Sequence, residues 1–243
     1  MNIRFIYFDC IETLIQIESP SLDAYADWAW EGGAQSLNLW DDSESFQNAW
    51  KREREQLNAA ENCFREGTIY GRIKNILSER ITQSEHAWLP ERIEQEVRYI
   101  HDSFWNVYRA RTYVLPEVEQ CLDLIARRGI PMGVVSNFMV PGGIQELLMH
   151  HGLNGYFQQV VVSCHVGWRK PSEHIYTAAI EFAQTLPGEI LFIGDSPEAD
   201  YEGPRAAGME ALLYDRKGKY DRIRDRIASL LEIDDWLEQY RFR

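Results

Sequence analysis

Five short apolar runs stand out along the chain: IRFIYFD (3–9), PMGVVSN (131–137), FQQVVVS (157–163), EILFIGDS (189–196) and EALLYD (210–215). Each is dense in β-branched and aromatic side chains and too short for a helical repeat, so each predicts a buried strand. A helical stretch precedes each of the last four. One over 116–128 stops at Gly129, one lies near 142–151, one follows Pro171, and one over 198–207 stops at Gly208. Strands alternating with helices predict an α/β fold with a doubly wound, Rossmann-like parallel sheet. The tail from Tyr220 reads as helical and charged, with Trp236 and Leu237 as anchors.

The stretch between the first two strands has a different character. Segments such as SESFQNAWKREREQLNAA and LPERIEQEVRYIHDSFWNVY show helical spacing with many charges, and EGG at 31–33 and Pro90 separate them. This predicts a core domain made of 1–15 and 113–243, interrupted by an α-helical domain over 16–112. Six of the eight tryptophans, Trp28, Trp30, Trp40, Trp50, Trp88 and Trp105, lie in that insertion. A packed helical core accounts for them, and an aromatic substrate pocket is the competing reading.

Composition narrows the possible functions. The chain has 243 residues, 45 % of them hydrophobic, which suffices for a core domain with an insertion. Its 25 basic and 38 acidic residues leave a formal charge of −13, which disfavours nucleic acid and anionic membranes as partners but leaves a small phosphorylated ligand open. Cys10, Cys63, Cys121 and Cys164 form no CxxC pair, so neither a zinc site nor a disulfide scaffold is expected, and Cys10 reads as a buried filler. With no cationic leader and no apolar run near ~18 residues, the expectation is a soluble, cytoplasmic protein.

In open parallel sheets, ligands sit beyond the carboxyl ends of the strands. The first strand ends in Asp9, with Thr13 beyond it. The second ends in Ser136 and Asn137, and the third leads to His165, Trp168, Arg169 and Lys170. The fourth ends in Asp195 and Ser196, followed by Asp200. Singly, each is an ordinary cap or turn residue. Together they bring three carboxylates, a lysine and small polar side chains to one rim. Clustered carboxylates require a counter-charge, and hard oxygen donors suit Mg²⁺. With Lys170 as a further cation, such a rim can hold a dianionic phosphoryl group for in-line attack by Asp9.

The pieces DCIETLI (9–15), VVSN (134–137), VGWRKPS (166–172) and IGDSPEAD (193–200), in this order and separation, resemble the haloacid dehalogenase (HAD) superfamily of hydrolases. The resemblance implies Asp9 as nucleophile and Mg²⁺ ligand, and Ser136 as phosphoryl-binding hydroxyl. It implies Lys170 as the neutralising cation, Asp195 as a metal ligand, and Asp200 as ligand or support. It also implies that the insertion is a small helical cap, which closes over the site and selects substrate. Only 33 positions separate Asn137 from Lys170, leaving no room for a second large cap.

One position departs from the phosphatase pattern. The residue two after the nucleophile is normally an acid that protonates the leaving oxygen and then activates water, and here it is Ile11. Ile11 can still offer its backbone carbonyl to the metal. A positioned acid/base contributes roughly 10²–10⁴-fold, so the expectation is a Mg²⁺-dependent phosphatase of a small phosphorylated metabolite, slowed and biased toward activated esters. Glu12, His86 and His101 are weak substitutes for the missing acid. A HAD-fold protein that binds a phosphorylated ligand or partner without turnover is the alternative. A dehalogenase ranks lower because such members lack the GDS arrangement found at 194–196. A phosphonate-cleaving enzyme ranks lower because Lys51 and Lys74, the cap lysines, look like solvated helix residues. His165 replaces an acid common in relatives and reads as structural.

Overall fold

In the computed structural model, which describes residues 3–18, 22–57, 64–83 and 88–240, the first apolar run forms strand β1 (Phe5–Phe8), buried throughout. Cys63 and His86 lie outside the described residues. The chain divides into two compact units, Met1–Gln16 with Tyr113–Arg243, and Ile17–Thr112.

The second unit is helical: α1 (Leu22–Glu31), α2 (Ser43–Leu57), α3 (Ile69–Thr82) and α4 (Pro90–Ala110). Thr68 caps α3 by accepting a hydrogen bond from the Gly71 N–H at 3.0 Å. Pro90 opens α4, where its missing N–H has no partner to lose. Along α4, Val97, Ile100, Phe104 and Tyr108 repeat every three or four residues and form the buried stripe. Trp28, Trp40, Trp50 and Trp105 are buried, and Trp30 and Trp88 half-buried. The rings of Trp28, Trp30, Trp40, Trp50 and Trp105 pack on Phe46, Phe104 and Tyr108 at centroid distances of 5.0–6.4 Å, and Arg92 lies over the Trp88 ring. The packing reading of the tryptophans therefore accounts for the four buried ones. A buried ion pair, Arg72 to Glu53 at 2.6 Å, lies in the same core, with the guanidinium over the Trp50 ring.

The first unit alternates helix and strand: α5 (Pro116–Arg127), β2 (Met132–Ser136), α6 (Gly143–His150), β3 (Phe157–Val162), α7 (Glu173–Ala183), β4 (Ile190–Gly194) and β5 (Glu210–Tyr214). A short strand, β6 (Arg226–Ile227), and α8 (Ile233–Tyr240) complete it. The sheet order is β3-β2-β1-β4-β5-β6, with every pairing parallel. The order reverses between β1 and β4, the switch point at which ligands bind in such sheets.

Alternation along the strands assigns the two faces. Phe5, Tyr7, Val135, Val161, Ile190 and Phe192 meet Ile175, Tyr176 and Ala179 of α7 in one cluster. Gly133 is a glycine in mid-strand because a β-carbon there would come within 2.5 Å of the Tyr7 ring. That ring extends its hydroxyl to within 2.7 Å of Gln159 Oε1 and 2.8 Å of the Ala179 carbonyl.

The tail departs from the sequence reading. Arg226–Ile227 adds a sixth strand through Leu213 N–H to Asp225 O (3.0 Å) and Asp215 N–H to Ile227 O (2.8 Å), and the helix begins only at Ile233. Leu237 is buried while Trp236 is half-buried and stacks on Tyr240. The helix expected over 198–207 is instead a π-helical turn, Pro197–Glu202, followed by one α-helical turn, Gly203–Ala206. The Tyr176 hydroxyl donates to the Ala199 carbonyl at 2.6 Å, and its ring occupies the space a side chain at Gly203 would need. No helix among the described residues is long and apolar enough to cross a membrane.

Candidate active site

The candidate site lies at the switch point and is made entirely by the first unit. The Asp9 N–H donates to Ile193 O at 2.8 Å, carrying the ladder between β1 and β4 one step past β1. The chain then curls. Leu14 N–H and Ile15 N–H both donate to Cys10 O at 2.9 Å, and Glu12 N–H donates to Ile15 O at 2.8 Å. Glu12 sits in the left-handed region with φ of 70°, a conformation that favours glycine. Ile11 is half-buried, its neighbour Cys10 fully buried. Burial, followed by the Asp9 charge, pushes the Cys10 thiol well above its ordinary range, so it stays protonated and acts as filler.

Lys170 is the hub of the rim and is buried. Its Nζ donates to Asp9 Oδ1 at 2.7 Å, Asp200 Oδ1 at 2.7 Å and the Val135 carbonyl at 2.9 Å, which satisfies all three of its protons. Burial alone would lower the lysine, but the charges of Asp200 and Asp9 outweigh it and hold the ammonium above its usual range. Asn137 fixes the backbone of the same residue: its Oδ1 accepts from Lys170 N–H at 2.6 Å and its Nδ2 donates to Lys170 O at 3.0 Å. Asn137, read from sequence as substrate-binding, thus has both polar ends engaged in positioning Lys170.

Asp200 is buried, and its second oxygen accepts from Ser196 N–H at 2.9 Å. A β-carbon on Gly194 would come within 2.5 Å of this carboxylate, so only glycine lets Asp200 approach the end of β4. Asp195 is half-buried. Ligand oxygens of Asp9, Asp195 and Asp200 lie within 4.8 Å of one another. Burial, then the charge of Lys170 against it and that of Asp200 with it, leaves Asp9 pushed up to about 6. Asp195 is pushed up to about 7 by burial and then by Asp9 and Asp200. One lysine therefore does not offset three carboxylates.

The all-oxygen donor set fits a hard divalent cation, which would supply the missing positive charge. The hydroxyls of Ser136 and Thr13 fit an anion beside it. Ser136 ends β2 and Thr13 lies in the curl after β1, and both hydroxyls are buried without a hydrogen-bond partner, a costly state unless a ligand oxygen meets them.

Other residues singled out in the sequence lie elsewhere. His165 is exposed on the turn Ser163–Val166, and Trp168 is half-buried with its ring 4.5 Å from that of His174. Within the helical unit, His101 contacts Asp102 and Tyr70, Lys74 pairs with Glu94 at 2.8 Å, and Lys51 is exposed. Sequence reasoning missed Asp215, which ends β5 as Asp9 follows β1 and is buried. Its signal, an acid closing an apolar run, was the same one that picked out Asp9.

Comparison with known proteins bears on this geometry. A family model described as haloacid dehalogenase-like hydrolase matches residues 3–208. Haloacid dehalogenase-like hydrolase domain-containing protein 3 of Bos taurus is 38 % identical over 100 residues, 41 % of this chain and 39 % of the relative. Phosphoserine phosphatase of Thermus thermophilus is 33 % identical over 122 residues, 50 % of this chain and 48 % of the relative. The chain thus spans about two fifths to a half of the length of these curated relatives. Among solved structures, a 2-haloacid dehalogenase from Pseudomonas syringae pv. Tomato superimposes with a TM-score of 0.77 over 98 % of this chain and 99 % of that one, at 21 % identity, a likeness of fold alone. The motifs, the strand order and the matched span lead to one assignment: this chain belongs to the haloacid dehalogenase-like hydrolases.

Proposed function

We propose that the protein is a Mg²⁺-dependent phosphatase of a small phosphorylated metabolite, with Asp9 as nucleophile. The observation that carries the reading is Asp9 Oδ1 held at 2.7 Å by a buried Lys170, amid two further carboxylates that need a cation. Asp9, Asp195, the Ile11 carbonyl and Asp200, as ligand or support, would hold the metal. When bound, it offsets the charge of the phosphoryl oxygens and the carboxylates. Asp9, with Oδ1 taken by Lys170, attacks phosphorus through its other oxygen as the phosphorus–ester bond breaks, and the leaving oxygen keeps the electron pair. The Ser136 and Thr13 hydroxyls donate to the phosphoryl oxygens. Water then attacks phosphorus, the bond to Asp9 breaks, and phosphate and the free carboxylate result.

Ile11 supplies no proton to the leaving oxygen and removes none from the water. Turnover is therefore slow on alkyl esters, whose leaving oxygens are strongly basic, and faster on aryl esters. A relative named phosphoserine phosphatase supports this reading over a dehalogenase. The test is phosphate release from 4-nitrophenyl phosphate with and without Mg²⁺. No turnover above an Asp9→Asn control, over this ester and a panel of metabolite phosphates, overturns the reading. Ile11 itself favours the second reading, a binder without turnover, which that result combined with tight phosphate-ester binding would support.

A further inference from the structure

The turn that follows β5 borders the same rim. A cavity of about 80 Å³ is lined by Glu12 and Asp195 together with Arg216, Lys217, Lys219 and Tyr220. All of these belong to the first unit. From 216 to 226 the sequence carries six basic residues and two acidic ones, in a chain whose formal charge is −13. Three of these cations, Arg216, Lys217 and Lys219, line the cavity that Asp195 also borders.

The turn is built to hold its shape without using those side chains. Asp215, buried at its base, accepts from Lys219 N–H at 2.8 Å, Tyr220 N–H at 2.9 Å and Arg226 Nη1 at 3.2 Å. The backbone is fixed by an internal carboxylate that is itself satisfied. Arg216, Lys217 and Lys219 are exposed, and among the described residues no carboxylate forms an ion pair with them. Lys170, by contrast, has all three protons committed to Asp9, Asp200 and Val135. The rim alone thus has no uncommitted lysine proton for a second anionic group, while the turn has three uncommitted side-chain cations opening on the same cavity.

We propose that Arg216, Lys217 and Lys219 form a second anion subsite, which binds a carboxylate or second phosphate on the molecule whose phosphoryl group faces Asp9. This rests on the phosphatase reading and narrows its substrate class to phosphorylated metabolites with two anionic groups. Arginine offers a planar fork and lysine a compact point charge, and both match carboxylate and phosphate oxygens. Several cations converging on one anion also steer its approach against the negative field of the rest of the chain.

The test compares the full chain with the triple variant Arg216→Gln, Lys217→Gln and Lys219→Gln, which leaves the backbone anchors of the turn in place. Turnover is measured with Mg²⁺ on 4-nitrophenyl phosphate, which has one anionic group, on phosphoglycolate and on a sugar bisphosphate. The ratio of kcat/KM for either two-anion substrate to that for the aryl ester is expected to fall at least tenfold in the triple variant. Loss on phosphoglycolate alone, or on the bisphosphate alone, identifies the second group as carboxylate or phosphate. An unchanged ratio overturns the proposal, and an equal loss on all three substrates does so too, since the cations would then only offset Glu12 and Asp195. In parallel, calorimetry measures binding of the same two-anion compounds to Asp9→Asn with and without the triple substitution. At least tenfold weaker binding in the combined variant supports the subsite even where the parent chain turns nothing over, an outcome that defeats the phosphatase reading alone. Equal binding in the two variants defeats the subsite.

Discussion

Replacing Lys170 by methionine removes one charge and three hydrogen bonds while keeping nearly the same volume. The three acceptors lie at 2.7, 2.7 and 2.9 Å from Nζ, all buried, and two of them are carboxylates. Breaking a buried ion pair by deleting one partner costs about 3–5 kcal/mol, because the remaining charge has neither water nor counter-ion. That is a large fraction of the roughly 5–15 kcal/mol that holds a typical domain folded. For a chain of this size it corresponds to a drop in Tm of about 6–20 °C. The pH dependence distinguishes this cause from a packing defect. Burial already holds Asp9 up to about 6, and without the lysine it rises further. A carboxyl raised in the folded state loses stability as pH climbs from its unfolded value, about 3.9, through the folded one. The deficit of the variant is therefore smallest near pH 4 and largest at pH 7.5. Thermal melts of both proteins in chelator, taken across that range, measure it. A deficit that is constant with pH, or below about 1 kcal/mol throughout, refutes the argument that Lys170 acts as a counter-charge.

Ile11→Asp restores a proton donor and acceptor and is expected to raise kcat on alkyl phosphates by about 10²–10⁴-fold, and on aryl phosphates by less; no gain on either shows that another part of the rim is deficient. Ser136→Ala removes a hydroxyl that has no partner, so unliganded stability should hold or rise by up to about 1 kcal/mol, while kcat/KM falls about 10–100-fold with the lost bond to a charged oxygen. Gly194→Ala forces a methyl against an Asp200 pinned by Lys170 and Ser196, with an expected cost of about 1–3 kcal/mol in a melt and a larger proportional loss of turnover. In chelator the parent chain should lose stability as pH rises from about 4 to about 7, since burial raises both Asp9 and Asp195. Mg²⁺ at a hundred times its Kd should then add about 2.7 kcal/mol above pH 7, and a melt unmoved by the cation there contradicts the metal assignment.

Strands β1, β2, β4 and β5 were legible because each is apolar on both faces, as the interior of a parallel sheet requires, while β3, at the edge, was legible from its run of valines at 160–162 alone. Their ends were less so. The expected strand 189–196 stops at Gly194, because Asp195 leaves the ladder and Ser196 caps the next turn, its hydroxyl accepting from Ala199 N–H at 3.3 Å. The π-helical turn at 197–202 was invisible, since the contact that holds its Ala199 carbonyl comes from Tyr176, a residue in a different helix. β6 was missed because two residues carry no periodicity, and because its pairing depends on Asp215 and Leu213, which lie far behind in the chain. At the site, residue types at strand ends indicated Asp9, Ser136, Lys170, Asp195 and Asp200. The positioning contact of Asn137 was hidden because it joins side chain to backbone across 33 positions, and sequence gives no measure of such a contact. The basic turn 216–226 was plain in composition, but its meaning depends on the cavity it shares with Asp195.

The grip of Asn137 on Lys170 has a further consequence. The lysine's backbone is tied at both its N–H and its carbonyl to the residue just beyond β2, so its address is set by the sheet centre rather than by the path the chain takes to reach it. Everything in between, from α6 through β3 to the exposed turn bearing His165, is a detour with both ends fastened at one point. Changes at its exposed positions, His165 among them, can alter the flank of the molecule while the ammonium stays in register with Asp9.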